Sequence, residues 1–130
     1  MSRSFIYCAN QSVQTIQENG IVSPGSVIRR FGCNCNLIGN GIELRGEGYY
    51  QIIASITLDP TATGGVTVTL LQDGTPITGA VATTAGEDVI TLCIPTAVRL
   101  NCCCNNATAI TCQLSAGASV SNYTIQIEKL

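Results

Sequence analysis

The chain has 130 residues, 45% of them hydrophobic and only 11% charged, with a formal net charge of −2. That is room for one domain with a sizeable core, and too apolar and charge-poor for a disordered chain. Arg29-Arg30 is too little for the positive stripe that phosphate contacts demand, which excludes nucleic acid, and no apolar stretch is long enough to span a bilayer.

The N-terminal MSRSFIYCANQS lacks the apolar region and cleavage site of a secretory signal, so synthesis in the cytoplasm is expected. Residues 4–8 (SFIYC) predict a short first strand, with 1–10 as an N-terminal arm in the alternative. Residues 11–17 alternate weakly, and Asn19-Gly20 and Ser23-Pro24-Gly25 signal turns. Residues 26–31 (SVIRRF) predict a second strand, followed by the Cys33 and Cys35 pair, a turn at Gly39-Asn40-Gly41, and a short alternating run at 42–45.

Residues 48–58 alternate strictly. Tyr50, Ile52, Ala54, Ile56 and Leu58 fall on one face, with Tyr49, Gln51, Ile53, Ser55 and Thr57 on a mixed, partly polar one. In 66–71, Val66, Val68 and Leu70 alternate with Thr67, Thr69 and Leu71. The two runs are read as a strand pair at the heart of the domain, and Asp73-Gly74 as a hairpin after the second. Residues 76–84 are rich in Thr and Ala. Residues 89–94 (VITLCI), apolar on both sides, predict a central strand stopped by Pro95. Residues 107–114 form the next strand and 122–130 the last, with Tyr123, Ile125 and Ile127 opposite Thr124, Gln126 and Glu128. No window has a helical period. The expectation is a single all-β domain over 1–130, an antiparallel β-sandwich of the jelly-roll kind. Its inner packing would come from Tyr50, Ile52, Ile56, Val66, Val68, Tyr123, Ile125 and Ile127.

Eight cysteines are the most unusual feature. Cys93 and Cys112 lie inside strand patterns and read as small buried hydrophobes. Cys8, Cys33, Cys35, Cys102, Cys103 and Cys104 lie at strand ends or in loops and are candidate cross-link or subunit-contact residues. Cys33 and Cys35 would share a face if extended, as would Cys102 and Cys104. Three chemistries stay open: disulfides between subunits of a particle that leaves the cell, a structural zinc, and free thiols. Neither cluster has C-x2-C spacing and the chain has no His, so the zinc signal is weak and no other cofactor is implied. Catalysis is not expected. Without His the usual general base is missing, and the adjacent carboxylates Glu87 and Asp88 would point apart on a strand.

Four segments carry a resemblance: SFIYCANQSVQTI, NGIELRGEGYYQIIASITL, VTVTLLQDGTPI and the closing YTIQIEKL. Their order resembles the tumour-necrosis-factor-like jelly roll, the fold of complement globular heads. More narrowly, the GYY start, the LLQDG hairpin and the Cys cluster look like those of small Cys-rich proteins of Firmicutes and their phages. The resemblance implies a homotrimer, its subunits held by apolar inner-strand faces packed around a three-fold axis, attached to a major capsid protein or another surface structural protein. The function expected from it is a capsid decoration or head-fibre protein on a virion. The alternatives are a disulfide-cross-linked filament on a bacterial cell or spore surface, with Cys8 in an arm, and a carbohydrate- or receptor-binding module.

Overall fold

A computed structural model describes residues 3–60, 65–84, 88–101 and 107–130. Among these there are eleven strands and no helix: β1 (Ser4–Asn10), β2 (Gln14–Ile16), β3 (Ser26–Phe31), β4 (Cys35–Ile38), β5 (Gly41–Leu44), β6 (Gly48–Pro60), β7 (Thr67–Gln72), β8 (Thr75–Thr83), β9 (Ile90–Leu100), β10 (Thr108–Leu114) and β11 (Ala118–Lys129). They form two antiparallel sheets. Sheet A runs β3-β1-β11-β6-β9 with β2 also on β11, and sheet B runs β4-β5-β10-β7-β8.

The alternation seen in sequence explains why the sheets stack. A strand with apolar residues at every second position has one face that must leave water, and two such faces bury each other. Along β6, Tyr50, Ile52, Ala54, Ile56 and Leu58 are all buried, and along β11 so are Tyr123, Ile125 and Ile127. From sheet B, Val68, Leu70, Ile110 and Leu114 meet them in one core, which Val66 joins from just before β7. The eight residues proposed for inner packing therefore all lie between the two sheets. That also corrects an expectation: these faces are consumed within one chain and cannot hold subunits together.

Three further expectations are overturned. The runs 48–58 and 66–71 are not a pair, because β6 bonds to β11 and β9 in sheet A while β7 bonds to β10 and β8 in sheet B. Pro95 does not end a strand but sits in the middle of β9, opposite Ile53. It is tolerated because β9 is the edge of sheet A, where a missing N–H can face away from the ladder. Residues 90–94 are not covered on both faces either, because sheet A packs on sheet B with one face only, and Ile90 and Cys93 are exposed.

The Asp73-Gly74 hairpin forms as expected. Both residues have positive φ, 53° and 83°, the backbone that a two-residue hairpin turn needs. The Asp73 carboxylate also accepts from Thr108 Oγ1 at 2.6 Å and from the Ala109 amide at 2.9 Å, which ties the turn to β10.

Candidate self-association surface

The two outward faces of the sandwich differ in chemistry. On sheet B the outward positions include Glu43, Thr67, Thr69, Thr111 and Gln113, together with Ala109, Leu71 and Pro76, and the exposed apolar residues Ile38 and Val81 lie on its edge strands. Hydroxyl and amide side chains of this kind are well solvated. Sheet A presents cross-strand rows of another kind. Arg29, Tyr7, Gln126, Ile53 and Pro95 form one row, and Phe31, Phe5, Glu128, Gln51 and Ala97 the row beside it. A third row runs Ser26, Ala9, Thr124, Ser55 and Cys93.

Aromatic contacts hold the ends of this face. The rings of Phe5 and Phe31 stack with centroids 5.8 Å apart. At the other side the Arg99 guanidinium lies 5.5 Å from the centre of the Tyr49 ring, a cation–π contact. Phe31 and Tyr49 are each 56% exposed and Ile28 is 46% exposed. A groove of about 410 Å3, lined by Tyr7, Ala9, Asn10, Gln11, Ser12, Gly25, Ser26 and Ile28, opens where β1 meets β3. Apolar residues of β1 and β3 on one side and of β6 and β9 on the other flank the polar β11 residues Thr124, Gln126 and Glu128, and exposed aromatic and aliphatic surface of this kind marks interaction sites.

Sequence reasoning missed Phe5, Tyr7, Phe31, Ile53 and Ala97 as members of one surface. The signal was present, because residue 53 breaks the polar side of the alternation in 48–58 with an isoleucine.

The cysteines part company with their expected roles. Cys8, offered as a cross-linker in an arm, is in the middle of β1 and fully buried opposite Ile125. Cys35 is buried as well, whereas Cys33 is exposed, so the two do not present a shared outward face. Both corrections have one cause: residues 8 and 35 fall on the inward phase of their strands. Cys112 is buried, as read from its strand pattern, but Cys93 points outward from the edge strand and is exposed. Cys102, Cys103 and Cys104 lie outside the described residues. Among the described residues no three Cys or acidic side chains converge as a metal site would require.

Burial pushes the Cys8 and Cys35 thiols up to about 11, Arg30 and Lys129 pulling Cys35 slightly the other way. It pushes Cys112 up to about 12, where a hydrogen bond with the Tyr123 side chain opposes it. Tyr123 is raised by its own burial and by the neighbouring Cys112 and Cys8. An unfolded chain releases these thiol protons near 9, whereas the folded chain holds them. The unfolded state therefore binds fewer protons in that window, and stability falls as pH rises from about 9 towards 11. We expect urea midpoints to drop over that range, and to drop less in Cys112→Ala. Alkylation at pH 8 should label Cys33 in the native protein and reach Cys8, Cys35 and Cys112 only on unfolding. Native labelling of those three as fast as Cys33 would contradict their burial.

No protein-family model and no curated protein sequence matches the chain. Its fold is nonetheless well matched among solved structures. Murine APRIL at pH 8.5 superposes with a TM-score of 0.78 at 13% identity, over 99% of this chain and 100% of that one. The globular domain of zebrafish complement 1qA protein gives 0.66 at 9% identity, over 99% and 97%. The PRD1 vertex protein P5 gives 0.65 at 18% identity, over 96% and 94%. The chain has the tumour-necrosis-factor-like jelly-roll fold.

Proposed function

We propose that this jelly roll is the subunit of a homotrimeric structural protein on a virion surface, a capsid decoration or head-fibre protein. The observation that carries the reading is the contrast between its outer faces. The face of sheet A, with Phe5, Tyr7, Ile53, Pro95 and Ala97, is built to be covered, and that of sheet B, with its threonines and glutamine, to stay wet. A second copy of the chain is the natural cover, because a closed ring uses up the surface in every subunit and then stops growing. Sheet B and the loops are left outward for display.

The virion assignment is supported by the likeness to the PRD1 vertex protein P5 and by the resemblance to phage-associated proteins in the cysteine and hairpin motifs. The filament reading loses its mechanism, since a thiol in the core at Cys8 cannot reach a neighbouring subunit. Cys33 is a remaining described thiol with access to solvent away from the sheet A face, and under this reading Cys33, with Cys102 to Cys104, supplies any covalent lock between subunits.

Immunogold electron microscopy of a culture that makes the chain tests the assignment. Gold on the surface of released particles is the expected result. Gold confined to cell walls or spore coats, with bare particles, would contradict it.

A further inference from the structure

Charge is spread unevenly along the strands. Lys129 closes β11 in register with Ser4 and Tyr50, Arg3 immediately precedes Ser4, and Arg30 stands opposite Ile6, two residues further in. Arg99 lies opposite Tyr49 at the same end, and Arg45 starts the crossover from β5 to β6, its amide bonded to the Asn34 carbonyl. Five of the six cations in the chain thus gather at one end of the sandwich, where segments 32–34 and 45–47 pass from one sheet to the other. The sixth, Arg29, is on the outer face of sheet A. At the opposite end lie Glu18, beside Asn19 whose amide bonds to the Leu114 carbonyl, Asp59 opposite Ser119, and Asp88, two residues before β9. All three are exposed, and no cation of the chain is at that end.

Pairing sharpens the contrast. Among the described residues the ion pair found joins Arg45 to Glu43, and the Asp73 carboxylate is taken up by Thr108 and Ala109. Arg3, Arg30, Arg99 and Lys129 therefore have no carboxylate among the described residues within ion-pair reach. Glu47 and Glu128 are the other carboxylates of the cationic end, and among the described residues neither is paired. Solubility does not require such segregation, since interspersed signs serve it as well. What segregation produces is a dipole along the strands, which an acidic surface attracts by one end and repels by the other.

We propose, resting on the virion reading, that the cationic end is the one that docks on the particle, against a carboxylate-rich protein surface, with Glu18, Asp59 and Asp88 turned to solvent. The end is free for this, because covering sheet A with other copies uses the outer face of its strands and not their ends. Arginine, four of the five cations there, presents a planar fork of donors that matches a carboxylate. A phosphate polymer fits less well. Its evenly spaced charges call for an uninterrupted positive stripe, and Glu47 and Glu128 interrupt this one. A protein surface carries both signs, so it answers these two carboxylates as well as the arginines, and fixes the register of docking.

Lys129 is the only lysine in the chain, which makes the docked end readable by cross-linking. A water-soluble carbodiimide activates a carboxyl group, and a lysine amine touching that group displaces the urea to leave an amide bond with no spacer. Released particles treated in this way and digested should yield peptides in which Lys129 is joined to an Asp or Glu of a particle protein. Lys129→Arg should lose those peptides and stay on the particle. Arg3→Glu combined with Lys129→Glu should lower the amount bound by about tenfold or more, with the circular dichroism of the purified protein unchanged. Amide bonds from Glu18, Asp59 or Asp88 to lysines of a particle protein would overturn the proposal, since the other end would then be docked. So would Lys129 joined to those residues of another copy, the mark of end-to-end stacking. Lys129 left uncoupled on particles that carry the chain would overturn it too, the result that docking on a phosphate polymer gives. In each of these cases the chain is still a virion protein. Particles that lack the chain altogether would overturn the virion reading, and the docking end with it.

Discussion

Replacing Ile53 by arginine is expected to turn the proposed trimer into single chains. Ile53 occupies the middle of the sheet A face, bonded in register to Gln126 on one side and Pro95 on the other, and is half-buried even in one chain. In a closed ring it loses its remaining water. A guanidinium placed there would be desolvated without a partner and repeated three times about the axis, the arrangement that costs several kcal/mol at interface centres. We expect the dissociation constant to rise by about a hundredfold or more. Thr111→Arg, an equal change of charge on the outer face of sheet B, should leave the mass unaltered. An Ile53→Arg protein that stays associated, or a Thr111→Arg protein that falls apart, would place the contact on another surface.

The largest expected loss of fold stability follows from Tyr50→Ala. Tyr50 is fully buried, and its hydroxyl shares its proton between the carbonyl oxygens of Arg45 at 2.7 Å and Gly46 at 2.9 Å. Those carbonyls belong to the segment where the chain leaves β5 of sheet B and enters β6 of sheet A. One side chain thus fills the core and clamps the crossover between layers. Removing the ring should cost about 3–5 kcal/mol, a large part of the 5–15 kcal/mol or so that holds a domain of this size together. Tyr50→Phe keeps the ring and loses the clamp, and should cost about 1–2 kcal/mol, since the Gly46 carbonyl loses this donor while that of Arg45 keeps only Asn34 Nδ2. Urea unfolding would read both. Equal losses from the two variants would mean that the hydroxyl, not the ring, carries the effect.

The inward half of this molecule was legible because burial leaves a period of two in the chain. Tyr50 to Leu58 and Tyr123 to Ile127 announce which side of each strand must avoid water, and the sheets obey. Pairing was less legible. Alternation says that β6 and β7 each have an apolar side, but it does not say that consecutive strands belong to opposite sheets, as these do. Edge position was hidden too, so Pro95 read as a stop when it marks a strand with an unpaired side. The cysteines were the hardest to place, since a thiol packs as a small hydrophobe in a core and reacts as a nucleophile outside it. Cys8 and Cys93 exchanged their expected roles for that reason, each decided by the phase of its strand. The outer face of sheet A was only partly visible. Its members come from five strands scattered between residues 5 and 128, and only their register makes them one surface.

The central claim is that sheet A is covered by other copies of the same chain, and the most direct test is the mass of the wild-type protein in solution. Sedimentation equilibrium under reducing conditions should give three times the 13.6 kDa chain mass, unchanged over a wide range of concentration. A single-chain mass at concentrations where the protein is folded would contradict the claim and leave the aromatic face of sheet A to a different partner.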